Sequence, residues 1–138
     1  WVVRQPAQAA EPSETYSGPE ETRERALLIL PRGGSAWGVP GGGREGDEGF
    51  EETAVREVRE EAGVDCGITD LWHLEHLRWQ SEDDADDRVT HTLHAFFDGE
   101  YVDGTLDVQQ AEVNGAAWFA ERPERLDSYA EQRANLFF

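Results

Sequence analysis

The sequence lacks Met and Lys altogether and contains a single Cys, Cys66. One Cys cannot form an internal disulfide, and its neighbours Val64 and Ile68 favour a small packed hydrophobic residue over a reactive nucleophile. Because Met is absent and Trp stands at position 1, we expect the natural N-terminus to lie upstream of this sequence.

Long hydrophobic runs are also absent. No stretch approaches the roughly 18 uncharged apolar residues that a membrane-spanning helix needs, and the first residues do not resemble a secretory signal peptide. These absences predict a cytoplasmic protein with no membrane partner. The 138 residues match the size of one compact domain, so we expect a single domain over residues 1–138.

Positive charge is scarce, because the 12 basic residues, all Arg, face 30 acidic residues and leave a net charge of −18. Such a surface repels itself at low salt and is screened at molar salt, which favours a halophilic source. A GC-rich genome would explain Arg in place of Lys but not the excess of acids. The charge argues against a nucleic-acid partner, since binding a duplex needs a basic patch. A polyanionic small molecule is still a possible substrate if metal ions bind between it and the acidic protein.

The apolar pattern predicts several strands, two of which flank an acidic loop at 81–87 as a hairpin. The predicted strands are residues 26–30, 68–80, 89–97, 100–108 and 113–119. Residues 5–24, rich in Pro, Ala, Glu and Ser, predict a loop or linker.

Two helices are expected between and after these strands. The first follows Gly49 as N-cap, has Glu52 in capping-box position and ends at Gly63. Pro123 is placed to open the second, which would end near residue 135. The mixed order of elements implies an α/β sandwich with helices on a mixed sheet.

Three acids of the first helix project from one side, because Glu57, Glu60 and Glu61 lie at spacings of three and four. In a helix with only a structural role these acids are unfavourable. Like charges repel each other and acids in the last turn oppose the helix dipole, and each effect costs roughly 0.3 to 1 kcal/mol. We therefore expect a compensating cation, although a solvated acidic face is the alternative in so acidic a protein. Oxygen ligands suit Mg²⁺ or Mn²⁺.

The histidines do not suggest a competing zinc site. His73 and His76, like His91 and His94, are three residues apart, and on a strand this spacing sends the two rings to opposite faces. We interpret them as ordinary strand residues.

Other residues around the acids favour a ligand site. Arg56 can reach Glu52 or Glu60 along the helix and orient a carboxylate. The glycine run 41–43 allows a close approach of the backbone, so a carbonyl there could complete a metal shell.

Together these residues resemble the box that defines the Nudix hydrolase family: Gly, five residues, Glu, seven residues, Arg-Glu, an aliphatic residue, one residue, Glu-Glu, one residue, Gly and an aliphatic residue. Residues 42–64 match this pattern without departure, at Gly42, Glu48, Arg56, Glu57, Val58, Glu60, Glu61, Gly63 and Val64. A strand at Ala26 to Leu30 and the segment Trp37 to Gly42 precede the box, as in the family.

The resemblance implies a Nudix-type α/β/α sandwich that hydrolyses a nucleoside diphosphate linked to another moiety. It also implies that Glu57, Glu60, Glu61 and the Gly42 carbonyl hold divalent ions, while Arg56 and Glu48 brace the loop and helix. The general base is left open between Glu57 and Glu112, the latter resembling a late carboxylate that often joins the metal shell. An exposed loop Glu is the alternative for Glu112. The acids at 82–87 are interpreted as halophilic surface.

The substrate stays open between a nucleotide sugar and an oxidised nucleoside triphosphate. Subfamilies for ADP-ribose and dinucleoside polyphosphates carry a Pro or Tyr downstream of the box, and residues 80–82 contain neither. Trp72, Trp79 and Tyr101 are candidates to stack on a nucleobase, with core packing as the alternative. A non-catalytic nucleotide sensor of the same fold is the second hypothesis, and a homodimer is compatible with either.

Overall fold

Five strands form one mixed sheet in the residues that the computed structural model describes, 1–5, 23–80, 89–109 and 111–138. The strands are β1 (Val2–Arg4), β2 (Arg25–Pro31), β3 (Val64–Gln80), β4 (Val89–Gly104) and β5 (Val113–Phe119). Across the sheet they lie in the order β3-β4-β1-β2-β5. Strand β1 is parallel to β4, and the other neighbouring pairs are antiparallel.

Two helices, α1 (Phe50–Ala62) and α2 (Ser128–Phe137), cover opposite faces of the sheet. Leu27 of β2 packs in one core cluster with Val58 of α1, and the next residue, Leu28, packs in a second cluster with Ala130 of α2. Because successive strand residues point to opposite faces, the sheet lies between the helices. This is the predicted α/β/α arrangement.

The strand prediction is confirmed for β2, β5 and the long β3–β4 hairpin. The predicted acidic loop at 81–87 and residues 6–22 of the predicted linker lie outside the described residues.

The elements differ from the sequence analysis in three places. The sequence analysis proposed no strand at the start of the chain, where β1 pairs with both β2 and β4. The separate strand near 100–108 is instead the end of β4, which continues through Asp98 and Gly99 because Asp98 binds Arg133 of α2. Helix α2 begins at Ser128 rather than Pro123, because the Asp127 side chain caps it by accepting from the Ala130 N–H at 2.7 Å.

Neither described helix is long and apolar enough to cross a membrane.

Candidate functional site

The acidic side chains of the predicted site lie along α1, whose two ends are fixed by specific contacts. At the start of the helix, the Gly49 N–H donates to the Glu52 carboxylate at 2.8 Å. At its end, Gly63 adopts the left-handed conformation with φ of 72°, and its N–H donates to the Arg59 carbonyl. Both caps agree with the sequence prediction, so the helix places Glu57, Glu60 and Glu61 in its last two turns.

Arg56 connects the loop before the helix to two of the acids on it. Its Nε donates to Glu48 Oε1 at 2.8 Å, and its Nη1 donates to Glu57 Oε1 at 2.9 Å and Glu60 Oε2 at 2.8 Å. Its Nη2 donates to the Gly43 carbonyl at 2.9 Å. The bracing role predicted for Arg56 therefore has a geometric basis.

Glu48 is the loop end of this brace. The Arg56 hydrogen bonds lower the pKa of Glu48 to about 2, and the Glu45 N–H and the Thr53 hydroxyl also donate to it. Glu48 is therefore ionised throughout the physiological range and holds Arg56 in a fixed orientation.

Glu57 packs directly against the glycine run. The Glu57 side chain is almost completely buried, and a Cβ atom placed on Gly42 would lie 2.6 Å from the Glu57 carboxyl carbon. Only Gly is compatible with this carboxylate position, so residue 42 and Glu57 are in contact as the predicted metal shell requires.

Glu61 is equally buried, with 7% of its surface exposed, but it has no Arg partner in the described structure. The Gly41 N–H donates to its Oε2 at 2.8 Å. Burial, together with the negative charges of Glu57, Glu112 and Glu60, raises the pKa of Glu61 to about 7, although the Gly41 hydrogen bond acts to lower it. A buried acid beside three others is a position at which a cation would relieve repulsion.

Glu112 lies at the end of the sheet next to these acids. It is exposed, its carbonyl accepts from the Arg32 N–H at 2.8 Å, and its carboxylate is near enough to act on Glu61 electrostatically. The sequence prediction of a late carboxylate close to the box is consistent with this position.

The oxygen atoms available at the site are ligands of the kind that a hard divalent cation prefers. The side chains at the site supply carboxylate oxygens, and the loop supplies backbone carbonyls. In the described residues, no three His, Cys, Asp or Glu side chains are already gathered at metal-ligating distances. Glu57 and Glu60 both accept hydrogen bonds from Arg56 instead.

A cavity of about 630 Å³ adjoins the loop that carries the glycine run. Its walls come from the loop, α1, the β3–β4 sheet and the start of α2, including Gly42, Phe50, Trp72 and Tyr129. The cavity is lined mostly by apolar and aromatic side chains, which is typical of small-molecule sites.

The three predicted stacking aromatics are in different places. Trp72 lines the cavity beside Phe96, and its buried indole N–H has no hydrogen-bond partner among the described residues. Trp79 is 60% exposed near the tip of the hairpin. Tyr101 packs against Trp118, and its hydroxyl donates to the Gly104 carbonyl. Neither Trp79 nor Tyr101 lines this cavity, and stacking on a base stays a prediction for all three.

Sequence reasoning missed several contacts between elements. The Gly41 N–H that binds Glu61 could not be assigned from spacing, because it depends on where the loop returns to the helix. Tyr129 of α2 lines the cavity and donates to Glu75 of β3 at 2.6 Å. The histidines meet across strands, with His76 Nε2 2.7 Å from His91 Nδ1, whereas the sequence analysis compared only neighbours on one strand.

Comparison with known proteins gives curated relatives that are longer than this chain. The mutator-type protein MutT4 of Mycobacterium tuberculosis is 32% identical over 126 residues, covering 84% of this chain and 46% of that protein. The NAD-capped RNA hydrolase NudC of Pseudomonas aeruginosa is 34% identical over 76 residues, covering 55% of this chain and 24% of that protein. The chain thus spans less than half the length of these relatives.

Two solved structures share the fold. A MutT NUDIX hydrolase from Burkholderia pseudomallei superposes with a TM-score of 0.56 at 20% identity, covering 80% of this chain and 86% of that one. A UDP-X diphosphatase also gives a TM-score of 0.56 at 20% identity, covering 88% of this chain and 61% of that one. The predicted fold class is confirmed by this likeness.

The family model of the NUDIX domain matches residues 20–136, which include the whole box, α1 and all but the last residue of α2. This match covers most of the sequence and agrees with the position of the acids on α1. The chain therefore belongs to the NUDIX domain family.

Proposed function

We propose that this domain is a divalent-metal-dependent pyrophosphohydrolase that cleaves a nucleoside diphosphate linked to another moiety. The observation that carries the proposal is the acid cluster at the end of α1, where Glu57 and Glu61 are buried beside the glycine run. Burying two carboxylates next to each other is unfavourable unless a cation joins them. The family match and the hydrolase relatives support an enzyme rather than a structural domain.

The ligands for Mg²⁺ or Mn²⁺ in this proposal are Glu57, Glu60, Glu61 and the Gly42 carbonyl, with Glu112 at the edge. When bound, the ion polarises a phosphoryl oxygen, lowers the pKa of a water molecule and neutralises the charge that develops in the reaction. Arg56 holds Glu57 and Glu60 on one side through Nη1, so it fixes the spacing of the ligands.

Hydrolysis joins the oxygen of water to one phosphorus atom and breaks the bond from that phosphorus to the bridging oxygen. The bridging oxygen leaves with the second phosphoryl group, and a base must accept a proton from the water. Glu57 and Glu112 are the two candidates for the base. Glu57 is buried and held by Arg56, whereas Glu112 is exposed at the edge of the acids, so its carboxylate is the more accessible to water.

The nucleoside end of the substrate is assigned to the cavity beside the glycine run, where Trp72 and Phe50 offer apolar surface to a base. A nucleotide sugar and a nucleoside triphosphate are both consistent with this assignment. The similar proteins include a UDP-X diphosphatase and an NAD-capped RNA hydrolase, and both UDP-X and NAD contain a nucleoside diphosphate.

The test is a panel of nucleotide sugars, dinucleotides and nucleoside triphosphates with Mg²⁺ or Mn²⁺ in molar KCl, with nucleoside monophosphate as the measured product. We expect turnover that EDTA abolishes. If no substrate is hydrolysed while a nucleotide still binds, the domain is a sensor and the proposal is wrong.

A substitution tests the ligand assignment separately. Glu61→Gln should reduce turnover at least about tenfold while the fold is kept, since it removes a charged metal ligand. Glu51→Gln is the matched control, because Glu51 lies exposed in the first turn of the same helix. Equal turnover in the two variants would reject Glu61 as a ligand.

A further inference from the structure

Among the described residues, the wall of the large cavity contains one arginine, Arg44, which directly follows the glycine run at 41–43. The three glycines also line the cavity, and so does Phe50 at the start of α1. Arg44 is exposed, so its side chain lies at the surface of the loop rather than in the core. The cavity wall therefore carries a positive charge beside the glycine run, in a chain whose net charge is −18.

Two contacts hold the Arg44 side chain in place. Its Nε donates to the Glu48 carbonyl at 2.6 Å, and its guanidinium carbon lies 5.4 Å from the centroid of the Phe50 ring. Neither contact uses the N–H groups of Nη1 and Nη2, which have no hydrogen-bond or ion-pair partner in the part of the chain that the structure describes. By contrast, Arg56 and Arg59 both pair with carboxylates. The terminal nitrogens of Arg44 can therefore donate to a ligand in the cavity.

The acids of α1 contact the same glycine run. The Gly41 N–H donates to Glu61 Oε2 at 2.8 Å, and a Cβ atom on Gly42 would overlap the Glu57 carboxylate. Gly42 comes two residues before Arg44, and two residues of extended chain span at most about 7 Å. The acids and Arg44 are therefore neighbours on one short loop whose residues line the cavity.

We infer that Arg44 donates to the phosphate that adjoins the nucleoside of the substrate. The inference rests on the proposed function, in which the nucleoside occupies the cavity and the pyrophosphate reaches the acids. The phosphate that joins these two parts is the one that a cation on the cavity wall, beside the acids, can contact. A guanidinium suits this task because its parallel N–H groups match two phosphate oxygens. Arg44 thus binds the nucleoside monophosphate part that nucleotide sugars and nucleoside triphosphates share.

Calorimetric titration in EDTA tests this contact without turnover and without a metal ion. The probes are AMP, GMP, CMP and UMP, together with the nucleoside of the monophosphate that binds wild type most tightly. We expect the Kd of that monophosphate to rise about tenfold in Arg44→Ala, the loss that a charge-assisted hydrogen bond predicts. The Kd of the nucleoside should change less than about twofold, because the nucleoside has no phosphate. If no monophosphate binds wild type, or if both ligands are weakened equally, the inference is wrong.

Two further variants separate phosphate binding from a structural role of Arg44 in the loop. Arg44→Lys keeps the positive charge and should restore part of the monophosphate affinity. Arg44→Gln keeps an N–H donor for the Glu48 carbonyl but has no charge, so its affinity should stay as low as that of Arg44→Ala. If Arg44→Gln restores affinity as well as Arg44→Lys does, Arg44 only holds the loop and the inference is overturned.

The control for the lost charge is Arg78→Ala, because Arg78 is exposed on β3 and is not among the residues that line the cavity. An equal loss of affinity in Arg78→Ala and Arg44→Ala would contradict a direct contact. Hydrolysis of the nucleotide panel with Mg²⁺ or Mn²⁺ judges the proposed function separately. A protein that hydrolyses no nucleotide but loses monophosphate affinity in Arg44→Ala would refute the proposed function and keep the phosphate contact. Hydrolysis by wild type with unchanged monophosphate affinity in Arg44→Ala would refute the contact alone.

Discussion

At the residue scale, the three acids in the last two turns of α1 fall into two groups according to their hydrogen-bond donors. Glu57 and Glu60 share the Nη1 atom of Arg56, whereas Glu61 receives a backbone N–H from Gly41. A neutral donor offsets less of the cost of burying a charge than a guanidinium does. The metal-free protein is therefore strained electrostatically at Glu61 in particular.

This strain predicts a dependence of stability on pH in the metal-free protein. The folded protein holds the Glu61 proton up to a pKa of about 7, whereas the ordinary value is 4.5. The folded state binds more protons than the unfolded state between these two values, so the free energy of unfolding falls as the pH rises through this window, by about 3 kcal/mol in total. In EDTA at pH 8, Glu61→Gln should therefore be more stable than wild type.

Urea unfolding of both proteins at pH 4.5 and pH 8 measures this effect. The stability difference between Glu61→Gln and wild type should be small at pH 4.5 and should appear by pH 8. Glu51→Gln controls for the change in net charge. A difference that is the same at both pH values would contradict the raised pKa of Glu61.

The glycine run gives a prediction that compares two variants, Gly42→Ala and Gly43→Ala. A Cβ on Gly42 would come within 2.8 Å of Glu57 Oε2, whereas a Cβ on Gly43 would meet nothing within 4 Å. Gly42→Ala should displace the flexible Glu57 side chain, keep the fold and lower turnover about tenfold or more, because the proposed metal ligand Glu57 moves. Gly43→Ala should keep at least half of the wild-type turnover. Steady-state kinetics with melting temperatures checks both, and equal activity in the two variants would contradict the proposed contact.

The box residues on α1 could be predicted individually because each is fixed by spacing on one helix. Arg56 reaches Glu60 one turn later, and Glu57 and Glu61 are also four residues apart. The hydrogen bonds that these residues make to groups outside α1 could not be predicted. Which of Trp72, Trp79 and Tyr101 faces the cavity depends on the register shifts in β3, which no local pattern reveals.

At the element scale, the end of α1 determines where the acids lie. Gly63 has φ of 72°, and a Cβ there would come within 2.7 Å of the Thr105 carbonyl and 2.8 Å of the Asp107 N–H. Gly63→Ala should therefore destabilise the protein by about 2 kcal/mol or more, through backbone strain and steric overlap together. The displaced last turn should also lower turnover.

Gly67 provides the control for this substitution. A Cβ on Gly67 meets only the Val102 side chain, at an ordinary distance of 3.9 Å. Denaturant unfolding should show Gly67→Ala within about 0.5 kcal/mol of wild type, the range of a tolerated surface change. If Gly63→Ala were as stable as Gly67→Ala, the cap would have no special role.

Elements with strong local signals were predictable, and those stabilised by distant contacts were not. Helix α1 has caps and an apolar stripe in its own sequence, and β2 is a compact apolar run. Strand β1 has only three residues, too few to show a period, and it exists because β2 and β4 lie on either side. The turn-like pair Asp98-Gly99 stays extended because Arg133 lies across from Asp98.

At the scale of the whole molecule, the net charge determines how the stability of the protein depends on salt. The net charge of −18 with no Lys leaves a surface whose carboxylates repel one another. Arg side chains in the described structure are used in specific pairs such as Arg133 with Asp98 and Arg122 with Glu131. These pairs neutralise only a few acids, so most of the repulsion is left to the salt in solution.

The melting temperature should therefore rise with KCl, by about 5 °C or more between 0.05 and 2 M at pH 8, which corresponds to one or two kcal/mol for a domain of this size. The Debye length falls from about 10 Å at 0.1 M to about 3 Å at 1 M, so simple screening should produce most of the rise below about 0.5 M. A rise that continues through 2 M would require bound hydrated cations, the behaviour expected of a protein adapted to molar salt. Scanning calorimetry in EDTA separates this effect from the metal binding proposed for the acids of α1. A melting temperature that does not change with KCl would contradict the assumption that self-repulsion limits the stability of the fold.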